Sequence, residues 1–347
     1  MYDSSTITYE KGTVTAILDE RTEPADGMPG WVLGVQTIEA RFKAGPMKGR
    51  IIQLDNVLST DHNIRVRKGQ SVIIKADRPA EIEPYYTLYN YDRTPGLITV
   101  SVIFALFMAA VGRFKGLRSV LGLGVSLFFI LGFLLPAIYR GHSPALMSIF
   151  TVAAITVFSL FLLNGFSRKT LIATVSSIAG GLFSVGFFFL ISVLLHLSGY
   201  NVEGAEELII VSRNTGLQLS QALFAGALIS SAGAVMDIAM SVASSLYEVI
   251  NAQSGMSARE LFRSGMSIGQ DMIGTMCQTL ILAFIGSALT TFLVLISYGT
   301  RFDQFMSSDY VAIEVAHSVA GSLAVIVTVP VTAALCAVGF RRAPDAG

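Results

Sequence analysis

The sequence predicts an all-α polytopic membrane bundle of about seven transmembrane helices, preceded by a small β-rich, OB-like extracytoplasmic domain. Three observations predict it. Hydrophobic residues make up 52% of the 347 positions and charged residues only 14%, too few charges to cover a soluble surface of this size. About half of all the Lys, Arg, Asp and Glu fall within residues 1–95. Beyond that point, apolar stretches follow one another at the length of about 20 residues that a helix needs to cross hydrocarbon.

The N-terminal region reads as strands. Thr6–Leu18, Trp31–Phe42, Arg50–Leu58 and Gln70–Lys75 are rich in Val, Ile and Thr with partial alternation, the pattern of half-buried strands. Turn chemistry separates them at Glu23-Pro24-Ala25-Asp26-Gly27, Gly45-Pro46 and Lys68-Gly69. Four or five short strands in so few residues predict an antiparallel barrel or sandwich. The boundary is placed at Arg93-Thr94-Pro95-Gly96, giving an extracytoplasmic domain 1–95 and a transmembrane helical domain 96–347.

In the second domain the apolar stretches are 97–112, 117–139, 144–163, 171–197, 217–246, 267–298 and 310–340. The later ones are long enough to tilt or kink, and their Gly and Pro residues are tolerated inside a membrane bundle. Within 171–197, the run Gly180-Gly181 with Ser184 and Gly186 reads as a surface for close helix packing.

Loop charges predict the orientation. Arg113, Lys115, Arg118, Arg168, Lys169, Arg259, Arg263, Arg341 and Arg342 fall in one set of alternate gaps. The other set has Arg140, Arg213 and Arg301 beside acidic Glu203, Glu206, Glu207, Asp303 and Asp309. Nine basic residues against three is a positive-inside bias. It predicts a multi-pass protein of the plasma (cytoplasmic) membrane, with a cytoplasmic C-terminus and the β domain outside. The start Met1-Tyr2-Asp3 lacks an apolar h-region, so export of that domain calls for a preceding signal or helix, the favoured reading, or for unaided export of a long N-tail.

Zero net charge argues against nucleic acid as a partner. Cys277 and Cys336 lie in apolar runs without a CxxC or Cys/His pattern, so no disulfide framework, metal site or cofactor is expected. An intramembrane hydrolase is a third, poorly supported option: no GxSxG, Ser/Lys dyad or His-metal motif lies in a suitable span, and Asp237 with Asp271 loosely resembles an intramembrane aspartyl dyad without its accompanying signature.

Acidic residues inside spans mark candidate sites. An Asp at a helix centre costs at least about 2.5–3.5 kcal/mol to insert. Asp237, Asp271, Glu314 and His317 are the ion- or proton-binding candidates. Gly233, Asp237, Ser241, Ser244 and Glu248 share one helix face, as do Asp271, Thr275, Gln278 and Thr279. Ser241, Ser244, Thr275, Gln278 and Thr279 would line a path. Antiparallel neighbours would bring the two Asp residues into one low-dielectric site, where both cannot easily ionise. Glu314 and His317, at i and i+3, would mark the other mouth. Structural readings stand beside these. Asp237 would pair with Arg263 or be capped by Ser and Thr, Asp271 and Glu314 would be helix-start acids favoured by the dipole, and His317 would be a satisfied bundle histidine. Asp237–Leu246 also aligns with Asp271–Leu280 as a faint internal echo, of the kind that transporter repeats show.

Three stretches carry a resemblance: GALISSAGAVMDIAMSVASSLYEV (Gly226–Val249), LFRSGMSIGQDMIGTMCQTLILAFIGSAL (Leu261–Leu289) and EVAHSVAGSLAVIVTVPVTAAL (Glu314–Leu335). They resemble the YibE/F family of multi-pass membrane proteins, as does AGPMKGRIIQLDNVL (Ala44–Leu58) in the β domain. The family's usual leading transmembrane helix is absent from the sequence, and the resemblance implies an architecture without an activity. In pattern alone, the G-x-x-x-D helix followed by a polar Asp/Thr helix is similar to the SecD/SecF and RND transporters. That likeness implies proton-coupled work and would carry over only Asp237 and Asp271.

Two functions are therefore expected. One is a transporter or proton/cation-coupled membrane machine of unknown substrate. The alternative is a non-transporting scaffold or assembly factor whose outer β domain binds a protein or an envelope component. Expected partners are the lipid bilayer, a protein or substrate at the outer domain, and further copies of the chain.

Overall fold

The computed structural model describes residues 6–79, 83–200, 205–253 and 255–340. Glu203, Arg341 and Arg342 of the charge count lie outside the described residues. The chain divides into two compact units, Met1–Leu106 and Phe107–Gly347.

The first unit is built on five strands, β1 (Ile7–Pro24), β2 (Val32–Phe42), β3 (Ile51–Leu58), β4 (Ser71–Asp77) and β5 (Tyr85–Tyr91). All neighbours pair antiparallel in the order β3-β2-β1-β4-β5. The end strands β3 and β5 touch, so the sheet curls into a half-barrel of the OB-like kind. The long β1 serves both halves, pairing with β4 over Ile7–Thr13 and with β2 over Gly12–Pro24. Gly12 sits at the handover, where a Cβ would stand 2.6 Å from Ile74 Cδ1.

Alternation fills the barrel core with Val14, Ile38, Ala40, Phe42, Leu54, Val66, Val72, Ile74 and Leu88. Two buried polar residues tie it to the loop after β3. Gln36 Oε1 accepts from Val66 N at 3.0 Å and from Asn56 Nδ2 at 3.2 Å, and Asn56 Nδ2 also donates to Ile64 O at 2.8 Å. These bonds offset part of the cost of burying two amides, with Asn56 Oδ1 left without a partner. β5 lies outside the four runs located from sequence. Its residues YYTLYNY lack a clean alternation, and Pro84 before them reads as linker.

Helix α1 spans Thr94–Leu127 but is broken at Arg113, whose φ of 50° and ψ of −132° are not helical. In an unbroken helix Met108 and Gly116 would be about 12 Å apart along the axis. A Cβ on Gly116 would instead lie 1.9 Å from the Met108 carbonyl oxygen, so the chain turns back on itself there. A π-helical turn, Phe128–Leu134, leads into α2 (Leu135–Tyr139). Then come α3 (Pro144–Asn164), α4 (Arg168–Leu194), α5 (Ala205–Thr215), α6 (Leu219–Ala252), α7 (Ala258–Ser297), α8 (Phe302–Met306) and α9 (Asp309–Gly339).

Six helical stretches among the described residues are long and apolar enough to cross a membrane. The first, Thr94–Tyr139, is 46 residues long and holds two of the seven expected spans on either side of Arg113. Helix α5 was not expected from sequence, because its acidic start reads as loop.

α9 is the hub of the bundle, packing against α4, α6 and α7, while α3 packs against α4, α6 and the π-helical turn. Glycines permit these approaches. A Cβ on Gly269 would lie 2.1 Å from Val329 Cγ1, and one on Gly265 would lie 2.8 Å from both Ala333 Cβ and Leu246 Cδ1. The expected packing surface on α4 forms at Gly180, Gly181 and Ser184. Ser184 Oγ is 3.0 Å from Ser231 Oγ, and a Cβ on Gly181 would meet Leu228 Cδ1 at 3.2 Å. Gly186 departs from it, with nothing within 4 Å of its Cβ position.

Candidate functional site

The helical cores carry many buried hydroxyls, and several are satisfied within their own helix. Thr174 donates to Thr170 O at 2.8 Å, Ser177 to Ala173 O at 2.7 Å, and Thr328 to Ala324 O at 2.7 Å. Such back-bonds remove the cost of a polar group in an apolar interior. The ionisable candidates are placed differently.

Counted along their helices, Asp237 and Asp271 lie within about 4 Å of the same level, and no contact between them is observed among the described residues. Leu246 of α6 meets Gly265 of α7, close to the short connection between those helices, so the two run antiparallel. Asp237 precedes Leu246 by nine residues and Asp271 follows Gly265 by six, about 13 Å and 9 Å along the respective axes at 1.5 Å per residue. Both side chains are exposed in the isolated chain. Asp237 makes no ion pair with Arg263 among the described residues. Asp271 is not a helix-start acid. α7 begins at Ala258 with a capping box between Ser257 and Glu260, and a dipole effect is confined to the first turn.

The path-lining candidates fall on the same faces. Gly233 and Glu248 are exposed beside Asp237, with Ser241 and Ser244 partly buried. Thr275, Gln278 and Thr279 are exposed beside Asp271. The Thr275 hydroxyl donates to Met272 O at 2.9 Å and that of Thr279 to Thr275 O at 2.8 Å.

Glu314 and His317 lie at the other end of the bundle. They line a cavity of about 270 Å³ with Leu223, Ser287, Thr291 and Tyr310, where α6 begins, α7 ends and α9 begins. Leu223 precedes Asp237 by 14 residues, so this cavity is about 20 Å from the aspartates along α6. Glu314 Oε2 is buried without a hydrogen-bond partner. Glu314 lies in the second turn of α9, beyond the first-turn acid Asp309. The His317 ring is stacked on Phe188 at 5.0 Å, with Phe284 at 5.8 Å. Its Nε2 is 3.2 Å from the Leu223 carbonyl oxygen, which can only accept, so Nε2 carries the proton. This histidine is held and satisfied, and Glu314 Oε2 is the unpartnered atom.

Sequence reading named both groups of candidates and did not name Ser287, Thr291 and Tyr310 on the cavity wall. The signal for them was the i+4 spacing of Tyr310 and Glu314, which puts both on one face of α9. Among the described residues no three His, Cys, Asp or Glu side chains gather as a metal site.

The family model described as YibE/F-like protein matches residues 100–342. The chain belongs to the YibE/F family. With its apolar helices it is a membrane protein. No curated protein and no solved structure matches it.

Proposed function

We propose that this YibE/F protein is a proton- or cation-coupled transporter or membrane machine in which Asp237 and Asp271 take up and release the coupling ion. The observation that carries the reading is the similar level of the two carboxylates along antiparallel α6 and α7. An intramembrane acid is costly to insert, which makes each a functional candidate, and two carboxylates brought side by side would compete for one proton. Ser241, Ser244, Thr275, Gln278 and Thr279 offer oxygens and an amide along the route. Glu314 supplies a carboxylate at the cavity, with His317 fixing the local geometry. By the loop charges, that cavity faces outward, in a plasma-membrane protein whose β domain is extracytoplasmic and engages substrate or a partner.

The test is charge movement in proteoliposomes after a pH jump, for the wild-type chain and for Asp237→Asn and Asp271→Asn. A transient current in the wild type that both substitutions abolish supports the reading. A current unchanged in well-folded variants overturns it, and leaves the outer β domain of a membrane scaffold as the functional part.

A further inference from the structure

The polar groups around the Glu314 cavity accept hydrogen bonds and have few left to give. The Ser287 hydroxyl donates to Phe284 O at 2.8 Å, so its oxygen is left to accept. His317 spends its Nε2 proton on the Leu223 carbonyl oxygen, and in the neutral imidazole Nδ1 is then an acceptor. Phe188 at 5.0 Å and Phe284 at 5.8 Å hold that ring in place. Glu314 makes no ion pair among the described residues, and its Oε2 is buried without a hydrogen bond. Tyr310 adds a phenol that can accept or donate. Neither Lys nor Arg is among the described residues that line the cavity.

A wall of acceptors around a carboxylate calls for a cationic ligand that brings donors. An anion would meet the like charge of Glu314 with no base to offset it. A calcium ion takes six to eight oxygen ligands, whereas much of this wall is Leu223, Phe292 and Ile313. The volume of about 270 Å³ equals about nine waters at their share of the liquid, room for a small organic molecule. A primary ammonium has three N–H donors. One would meet Glu314 in a charge-assisted bond, the strong kind. The others would meet Ser287 Oγ and His317 Nδ1, and the hydrocarbon body would lie against the apolar side chains.

We propose that this cavity binds a small primary ammonium compound, with Glu314 as its counter-ion. The binding stands on the cavity alone, and only the reading of that amine as transported substrate rests on the transporter function proposed above.

The experiment titrates n-butylammonium into the full chain in lipid nanodiscs, followed by saturation-transfer NMR, beside 1-butanol and butyrate. The amine should bind at least tenfold more tightly than the alcohol, and butyrate should not bind. Glu314→Gln should weaken the amine by about 10- to 100-fold, the worth of a hydrogen bond to a charged group, and leave the alcohol unchanged. Ala288→Leu keeps the carboxylate, fills space on the cavity wall and should weaken both. Asp237→Asn, about 20 Å away along α6, should leave the amine's affinity as it is. Equal binding of amine and alcohol overturns the proposal, as does an amine affinity that Glu314→Gln leaves unchanged or displacement of the amine by equimolar sodium. A chain that binds the amine but carries no pH-jump current upholds this site and removes the transporter reading. A current without amine binding does the reverse.

Discussion

Gly180 of α4 and Thr328 of α9 meet with no room between them: a Cβ on Gly180 would stand 2.1 Å from the Thr328 hydroxyl oxygen and 2.8 Å from Val235 Cγ1. Three helices therefore converge on one hydrogen atom. Gly180→Val should destabilise the bundle by about 1–3 kcal/mol through overpacking. Gly186→Val, six residues on and facing open space, should change stability by less than about 0.5 kcal/mol. Thermal melts of both variants in one detergent check this, and equal melting temperatures would refute it.

The barrel offers a separate test. Gln36→Leu removes the acceptor for Val66 N and Asn56 Nδ2, leaving two buried donors short of a partner at about 1–3 kcal/mol each. Trp31 is the single tryptophan of the chain and lies in this unit, so selective tryptophan fluorescence follows barrel unfolding in the intact protein. The emission change should move to lower denaturant in the variant while helical circular dichroism holds.

Acid should weaken the same unit through Asp92. Hydrogen bonding from Thr94, with Lys11 Nζ at 3.4 Å, holds the Asp92 carboxyl below the usual carboxylate range. A group whose folded value is depressed stabilises above its unfolded value, about 3.9, and that contribution is lost as pH falls through the folded value. Asp92→Asn should be less stable than wild type at neutral pH and lose less stability below about pH 4. Trp31 emission against pH checks the difference in slope.

The cavity residues separate by role. Glu314 Oε2 has no hydrogen bond to lose, so Glu314→Gln should leave the melting temperature within a few degrees while slowing the pH-jump transient at least tenfold. His317→Leu forfeits the bond to Leu223 O and should cost about 1–2 kcal/mol of stability. If Glu314→Gln melts as early as His317→Leu, the carboxylate is structural.

Much of this was legible in the sequence, in proportion to how local each signal is. Arg113, Lys115 and Arg118 interrupt the apolar run, and the chain turns at Arg113. Alternation located β1 to β4, although it ended β1 at Leu18, six residues short of Pro24, because Asp19-Glu20-Arg21 reads as a charged turn. In the structure Asp19 and Arg21 form an ion pair at 2.8 Å on the exposed face and the strand continues. The periodicity on α6 and α7 put Asp237 and Asp271 on polar stripes. Which way the stripes face was not legible, because a helical period fixes a face without naming its neighbour. Tertiary packing alone turned both toward the outside of the isolated chain. The Glu314 cavity needed the ends of three helices far apart in sequence, and only its α9 contribution was readable.

The back-bonded hydroxyls have a mechanical consequence. Thr174 and Ser177 on α4, and Thr328 and Thr332 on α9, each donate to a carbonyl of their own helix, so they lay no tie across the contact between the two. What holds α4 to α9 at those levels is shape, and shape repeats with each turn of a helix whose surface is Gly, Ala, Ser and Thr. Displacing one rod along the other would breach no bond among these four groups and would ask only for a new set of grooves. The contact is held by fit, as at Gly180 and Thr328, whereas a cross-helix hydrogen bond, Ser184 with Ser231, lies between α4 and α6.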